Sequence, residues 1–516
     1  MKMKKILNLF VALSILLCAT VSCSNWLAVD LEDSILEDKL FETNEGYTSV
    51  LNGVYTKMNT YYGSTLSMGV IDAMAKLYNI SSNHNYYPYF NYDFDGDTFE
   101  GTSGALWTGM YNLIANLNVL LEKCDEEESV IFPNYYPYIK GEALALRAML
   151  HFDLFRLYGP IYSDATMSNL TIPYQATTDK TIQPLLSAEQ VMAKVIKDLQ
   201  DASKLLENDA VRTDGVLNSD SEDPNETADF RYRQFRLNYY AVQGLLARAY
   251  LWIGDKENAY ATAKAIITEV EEKKTFDWTP KANVQSSTTP DLIFSTEVMF
   301  SLYNLKRVNN FNNLFKNTTS YYSILSFAGS SMEDGNMMSK INWFYKDLND
   351  LRRTEAWEVS TIQEVNSTTG ATTEHESLFF NKYKDIQTTE TRRYMIPLLR
   401  MSEIYLIAAE STSDVTEGLG YVNAIREHRN CVNIDAATVA SKEDLQEYID
   451  NEFYRETIGE GQIYFYYKRH AKASILGGSA ANFEEDWYGN VDPAISMTLE
   501  DYIWPLPKVE TDKRIN

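Results

Sequence analysis

Cysteine and histidine are scarce in this chain, and that scarcity removes whole classes of chemistry. Four cysteines occur in 516 residues, at no metal-binding spacing. The five histidines, His84, His151, His375, His428 and His470, lie far apart and form no zinc motif. A complete nucleophile elbow and a phosphate-cradling glycine loop are also missing. Gly418-Leu419-Gly420 lacks a third glycine and does not follow an expected strand, so it is set aside. No cofactor motif remains. Long apolar runs stop after residue 17, and no later segment approaches the roughly 20 residues that a bilayer span needs. Cations are outnumbered, 46 to 72, which leaves a formal charge of −26. A field of that sign repels nucleic acid and anionic membrane, and it disfavours polyanionic ligands. With 72 acidic residues, no single carboxylate pair stands out as a glycosidase dyad.

What is present begins with a leader. Lys2, Lys4 and Lys5 precede an apolar run from Ile6 to Leu17, the pattern of a secretory signal peptide. Thr20-Val21-Ser22-Cys23 then places small residues before a cysteine, which resembles the lipobox of bacterial lipoproteins. The expected layout is a signal peptide over 1–22, a lipidated Cys23 with a tether over 23–34, and one domain over 35–516. Several acyl chains on one cysteine make a durable anchor, since each buried methylene contributes about 0.8 kcal/mol. Asp30, Glu32 and Asp33 resemble the acidic surface-export signal of Bacteroidetes lipoproteins. Beyond Cys18 and Cys23 only Cys124 and Cys431 remain, read as two thiols rather than a disulfide.

The body of the chain is too long for one ordinary core, which stops growing near about 250–300 residues. Periodicity predicts helices over 40–60, 105–123, 136–158 and 187–207, the third stopped by Gly159-Pro160. Polar residues over 209–229 read as an exposed loop. Asn238 to Ile253 and Glu257 to Glu269 then form a helical pair around Gly254-Asp255. Ala247, Tyr250, Gly254, Ala259, Ala263 and Ile266 follow at offsets of 3, 4, 5, 4 and 3, as in a tetratricopeptide unit. Further pairs are expected at 397–410 with 416–429, and near 445–470. Such units cannot bury their faces alone and should stack. The fold expected is mostly α, of stacked tetratricopeptide-like hairpins carrying long irregular loops. The longest covers about 276–340, rich in Asn, Ser, Thr and scattered aromatics.

Ordered motifs along the chain resemble the SusD/RagB family of surface lipoproteins. They are Leu51-Asn52-Gly53-Val54-Tyr55; Trp107, Tyr111, Ile114 and Asn118; Gly141-Glu142-Ala143 with Arg147-Ala148 and Phe152 to Pro160; Ile396-Pro397-Leu398-Leu399-Arg400 with Glu403-Ile404-Tyr405-Leu406 and Ala408-Ala409-Glu410; Tyr421-Val422-Asn423 with Ile425-Arg426; Glu460-Gly461; and Pro505-Leu506-Pro507. After Glu460-Gly461 the family usually carries arginine and then aspartate, whereas Ile463 and Tyr466 stand here, so an aromatic contact should replace an ion pair. The resemblance implies a helical scaffold with a loop-rich ligand face. It also implies a surface protein that captures a nutrient, a glycan or in some relatives a peptide. Its expected partner is a TonB-dependent outer-membrane transporter. Family likeness speaks to this process more firmly than to the ligand. The rivals are a surface glycosidase and a scaffold that binds only protein.

Sugars present apolar C–H faces ringed by hydroxyls, so their sites need exposed rings beside amides or carboxylates. The loop Tyr86-Tyr87-Pro88-Tyr89-Phe90-Asn91-Tyr92 offers both, and Tyr303, Tyr321 and Tyr322 lie among asparagines in the second irregular region. Tyr86, Tyr87, Tyr89, Asn91, Tyr92, Tyr303, Tyr321 and Tyr322 are therefore the ligand candidates. The bland alternative for each tyrosine is packing on its own scaffold. Asn91, Asp93 and Asp95 before Gly96 resemble half of a calcium loop, but Thr102 stands where the closing glutamate belongs, so an acidic turn is the better reading. Trp343, Arg147, Arg400 and Glu403 read as structural.

Overall fold

A computed structural model describes residues 39–219, 228–316, 323–327, 337–365, 369–477 and 494–514. Cys23, Tyr321 and Tyr322 lie outside these residues. Helices run Asn44–Tyr61, Asp97–Asp125, Tyr136–Tyr158, Ala188–Leu205, Tyr239–Trp252, Lys256–Lys273, Met401–Ser411, Val415–His428, Lys442–Thr457 and Ile463–Arg469, with other short ones between them. Local chemistry sets many ends. Thr43, Asn238, Asp255 and Asp414 accept first-turn amides, and Ser187 closes a full capping box with Gln190.

From Tyr136 onward each long helix rests against the next, 136–158 on 188–205 on 239–252 on 256–273 on 401–411 on 415–428 on 442–457. This is the stacked-hairpin scaffold expected. In its central unit Ala247, Ala259 and Ala263 are fully buried, where larger side chains would push the two helices apart. Gly254 turns the chain between them at φ +79°, a conformation that a Cβ disfavours.

The helix expected from residue 397 does not start there. Met395–Arg400 is a strand, paired antiparallel with Val298–Tyr303, and the helix begins at Met401. All six strand residues are buried, so the apolar run has no alternation to mark it as a strand. Its partner lies about a hundred residues away and lends it no local signal. Region 276–340 therefore contains strand Val298–Tyr303 and helix Arg307–Leu314 within its loops. A hairpin, Trp357–Val365 with Thr372–Phe380, follows it.

Most of the family-motif residues pack inside, while Asn52, Gly53 and Pro505 are exposed. Arg147 pairs with Asp198 at 2.7 Å and Glu403 with Arg248 at 2.6 Å, both buried. Tyr466 stacks on Phe453 at 4.2 Å, the aromatic contact expected there. Trp343 is half-buried against the core. Cys124 is buried, Cys431 half-buried, and both are free thiols.

The densest polar cluster surrounds Glu456. Arg429, Arg400 and Arg352 each reach its carboxylate at 2.7 Å. Arg429 also holds Glu297 at 2.6 Å, and Glu460 takes Arg400 and Lys382 at 2.9 and 2.7 Å. Burial alone would raise the Glu456 carboxyl. The three guanidinium groups outweigh it and hold the acid well below the usual carboxylate range.

Candidate functional site

The Asn44–Tyr61 helix does not simply end; it widens into a single π-helical stretch, Tyr62–Ser67. Such turns are rare and concentrate where a chain presents groups for function. This one is firmly seated. The Tyr62 hydroxyl donates to buried Asp153 at 2.5 Å. Its last turn meets the Gly459-Glu460-Gly461 loop so closely that a Cβ on Gly461 would lie 2.1 Å from the Leu66 carbonyl. Asp72, just beyond, ties that loop down. Its Oδ2 accepts from the Gly459 amide at 2.9 Å and the Tyr78 hydroxyl at 2.6 Å, and its Oδ1 from the Gly461 amide at 3.2 Å. Burial pushes the Asp72 carboxyl up to about 6, against the pull of those donors.

Around this stretch the described parts of the candidate loops converge. Tyr86 donates its hydroxyl to the Ser64 carbonyl at 3.3 Å. Asn59 donates to the Tyr303 carbonyl at 3.1 Å. Gly63 lies between the amides of Asn304 and Asn310, which a Cβ there would meet at 3.3 and 2.8 Å. His84 joins the Ser323 carbonyl at 3.1 Å, and the Asn79 amide donates to the Ser326 carbonyl at 2.7 Å. Residues distant in sequence thus border one turn, because Gly63 lets the Arg307–Leu314 helix approach.

Within this surface the candidate side chains divide. Tyr89 is buried and shares a 2.6 Å bond with Thr102. Tyr92 donates to the Met74 carbonyl at 2.7 Å and lies beneath the Lys76 ammonium. Tyr86 is half-buried behind its bond to Ser64. Tyr87 is half-exposed and stacks on Phe90, while Asn91 is exposed. Tyr303 is 42% exposed at its strand end, its ring against Tyr394 and Phe235. Asn309, Asn312 and Asn313 are exposed on the next helix, with Asn310 half-exposed.

The residues missed in sequence are His84, Ser64, Asn304 and Asn310. The run Asn309-Asn310-Phe311-Asn312-Asn313 was the available signal, four amides beside one buried ring. The Asn91, Asp93 and Asp95 turn is exposed, and among the described residues no three carboxylate, histidine or cysteine groups converge on a metal-sized site. Nor is any described helix long and apolar enough to cross a membrane.

A concavity of about 660 Å³ opens elsewhere, between Trp107 to Glu126, the 173–183 loop and the C-terminal Lys508–Arg514 helix. The sequence candidates do not line it. Four acidic and four basic residues balance along its rim.

Comparison with known proteins gives a consistent set of likenesses. A SusD-like family profile, described as starch-binding associating with outer membrane, matches residues 25–216, and the SusD family profile matches residues 321–516. The chain is 22% identical to a SusD-like protein of Formosa agariphila, across 98% of this chain and 97% of that one. In fold it is similar to a SusD superfamily protein from Bacteroides thetaiotaomicron, with a TM-score of 0.64 and 21% identity over 91% of this chain and 98% of the other. It is likewise similar to a SusD-like carbohydrate binding protein from Bacteroides vulgatus, with a TM-score of 0.63 and 19% identity over 92% and 97%.

Proposed function

We propose that this chain, which belongs to the SusD/RagB family, captures an uncharged oligosaccharide at the cell surface and hands it to a TonB-dependent outer-membrane transporter. The observation that carries this reading is the meeting of Tyr86, Tyr303, Asn304 and Asn310 around residues 59–67, with Tyr87 next to Tyr86 in the same loop. Half-exposed rings suit the apolar faces of sugars, and amides both donate to and accept from hydroxyls. Tyr87, Asn91, Tyr303 and Asn310 are the proposed contacts among the described residues; Tyr321 and Tyr322 are candidates from sequence alone. Tyr86, Tyr89 and Tyr92 shape the loop from beneath.

Charge supports an uncharged ligand. The chain carries −26 overall. Lys76 lies over the Phe90 and Tyr92 rings, and Arg307 is buried with its guanidinium on the Arg392 carbonyl. Among the described residues a polyanion would find little free positive charge there beyond exposed Lys57 and Lys306. The solved Bacteroides vulgatus relative, described as carbohydrate binding, points the same way. Lipidation at Cys23 would hold the protein at the outer membrane beside its transporter.

The test is calorimetric titration of a soluble form beginning at Ser24, against matched neutral and anionic oligosaccharides, with product analysis of every mixture. Binding of neutral glycans without new products, weakened in Tyr87→Ala, is expected. Product formation would overturn the capture reading, and preference for anionic glycans would overturn the ligand class. Affinity for peptides alone would favour the peptide-capturing variant of this family role. Co-purification of a transporter from solubilised membranes, lost in Cys23→Ala, tests the handover.

A further inference from the structure

His84 touches both irregular regions at once. The Tyr86 backbone N–H donates to its Nδ1 at 2.9 Å, so that nitrogen is the acceptor. Nε2 must then carry the ring proton, and it donates to the Ser323 carbonyl at 3.1 Å. Burial pushes the imidazolium down to about 4, against the Ser323 bond, so the ring is neutral at ordinary pH. Its centroid lies 5.3 Å from that of Tyr86, whose hydroxyl continues the chain of contacts to Ser64. Three segments are thus connected through one neutral ring: the π-helical turn, the Tyr86 loop and residues 323–327.

We propose that His84 is a positioning residue, which sets the separation between the Tyr86 loop and the Ser323 segment and so fixes where the Tyr86 and Tyr87 rings stand on the candidate surface. The inference rests on the ligand surface proposed above, but the contact it describes can be tested apart from any ligand. A buried side chain that uses both of its hydrogen-bonding atoms on two different loops leaves each loop little freedom to drift. Glutamine or lysine in its place would bring more rotamers and a less defined distance. The imidazole is also too deeply placed to meet a ligand itself, being 6% exposed.

Two variants separate its two bonds. His84→Phe keeps the ring volume and loses both, while His84→Asn keeps a short acceptor for the Tyr86 amide but cannot reach Ser323. Amide hydrogen exchange is compared for peptides covering 79–86, 323–327 and, as a control, the 239–273 repeat. Loss of one such bond should speed exchange roughly tenfold in the affected segment. Both loop segments should accelerate in His84→Phe and only 323–327 in His84→Asn, with the repeat unchanged. Affinity for any glycan that the unaltered protein binds should fall roughly tenfold in His84→Phe and less in His84→Asn. Unchanged exchange at 323–327 in both variants would overturn the proposal, as would accelerated exchange with undiminished affinity. If the unaltered protein binds no glycan, the capture reading fails alone and the exchange comparison still decides whether His84 holds the two segments together. Should His84→Phe not fold, His84→Asn carries the same comparison.

Discussion

The Glu456 cluster and the turn at Tyr62–Ser67 lie on either side of the Gly459-Glu460-Gly461 loop, yet they are built from opposite materials. Around Glu456 the contacts are ionic, buried and mutually saturating. Around the π-helical turn they are mostly neutral: tyrosine to carbonyl, imidazole to carbonyl, and amides beside glycine. Each choice has a physical reason. Charges withdrawn from water need full partners, so a saturated cluster admits one arrangement and locks the repeats in register. A ligand surface that must exchange water for hydroxyls gains from groups whose desolvation is cheap. The acidic chain thus commits much of its positive charge to the interior and presents amides and rings at the candidate face.

The strongest way to break this contrast is to remove the hub. Glu456→Ala leaves three buried guanidinium groups short of a partner, and urea unfolding should register a loss of about 3–5 kcal/mol or more. A loss below about 1 kcal/mol would mean that the cluster is not what fixes the scaffold.

Gly461→Ala attacks the seam between the two regions. Its φ of +67° and the 2.1 Å approach to the Leu66 carbonyl leave no room for a methyl, so about 2–4 kcal/mol should be lost. Glycan affinity should fall with it, because the π-helical turn must move. A variant as stable as the original would show that the loop can shift away freely.

Asp72 sharpens the comparison through pH. Its folded-state value, about 6, exceeds the ordinary 3.8, so the folded protein takes up this proton before the unfolded chain does. Ionisation of this group therefore costs stability above about pH 6, and the cost is relieved as pH falls from about 6 towards 4. The most this shift can contribute is about 3 kcal/mol. Melting of the unaltered protein, measured relative to Asp72→Asn, should improve over that window. A difference that worsens on acidification would reverse the assigned direction.

Tyr87→Ala and Asn310→Ala should be the mildest for stability, each below about 1 kcal/mol in unfolding. Their effect belongs to binding, where affinity for a neutral glycan should fall several-fold. Large destabilisation in either would place these side chains with the scaffold instead.

Much of the helical scaffold could be read from residues because its signals are local. Caps such as Ser187 and Asn238, the stop at Gly159-Pro160 and the alanine spacing of 247–263 act within a few positions of themselves. The strand Met395–Arg400 was hidden for the opposite reason: a buried apolar run with a proline becomes a strand only because Val298–Tyr303 lies beside it. The candidate loops could be named from their rings and asparagines, but not the division within them. Tyr87 and Tyr89 are chemically alike, and burial of Tyr89 against Thr102 depends on a helix that begins at Asp97.

The sequence by itself determined the repeat architecture, the acidic balance and the residue types available for a ligand, since periodicity, capping and composition are properties of neighbours along the chain. Only the tertiary structure decided that Gly63 borders Asn304 and Asn310, that His84 joins Ser323, and that Asp72 holds Gly459 and Gly461. Those contacts join residues 239 to 389 positions apart, the Gly63 neighbours included, and no local pattern can encode a distance that folding alone creates.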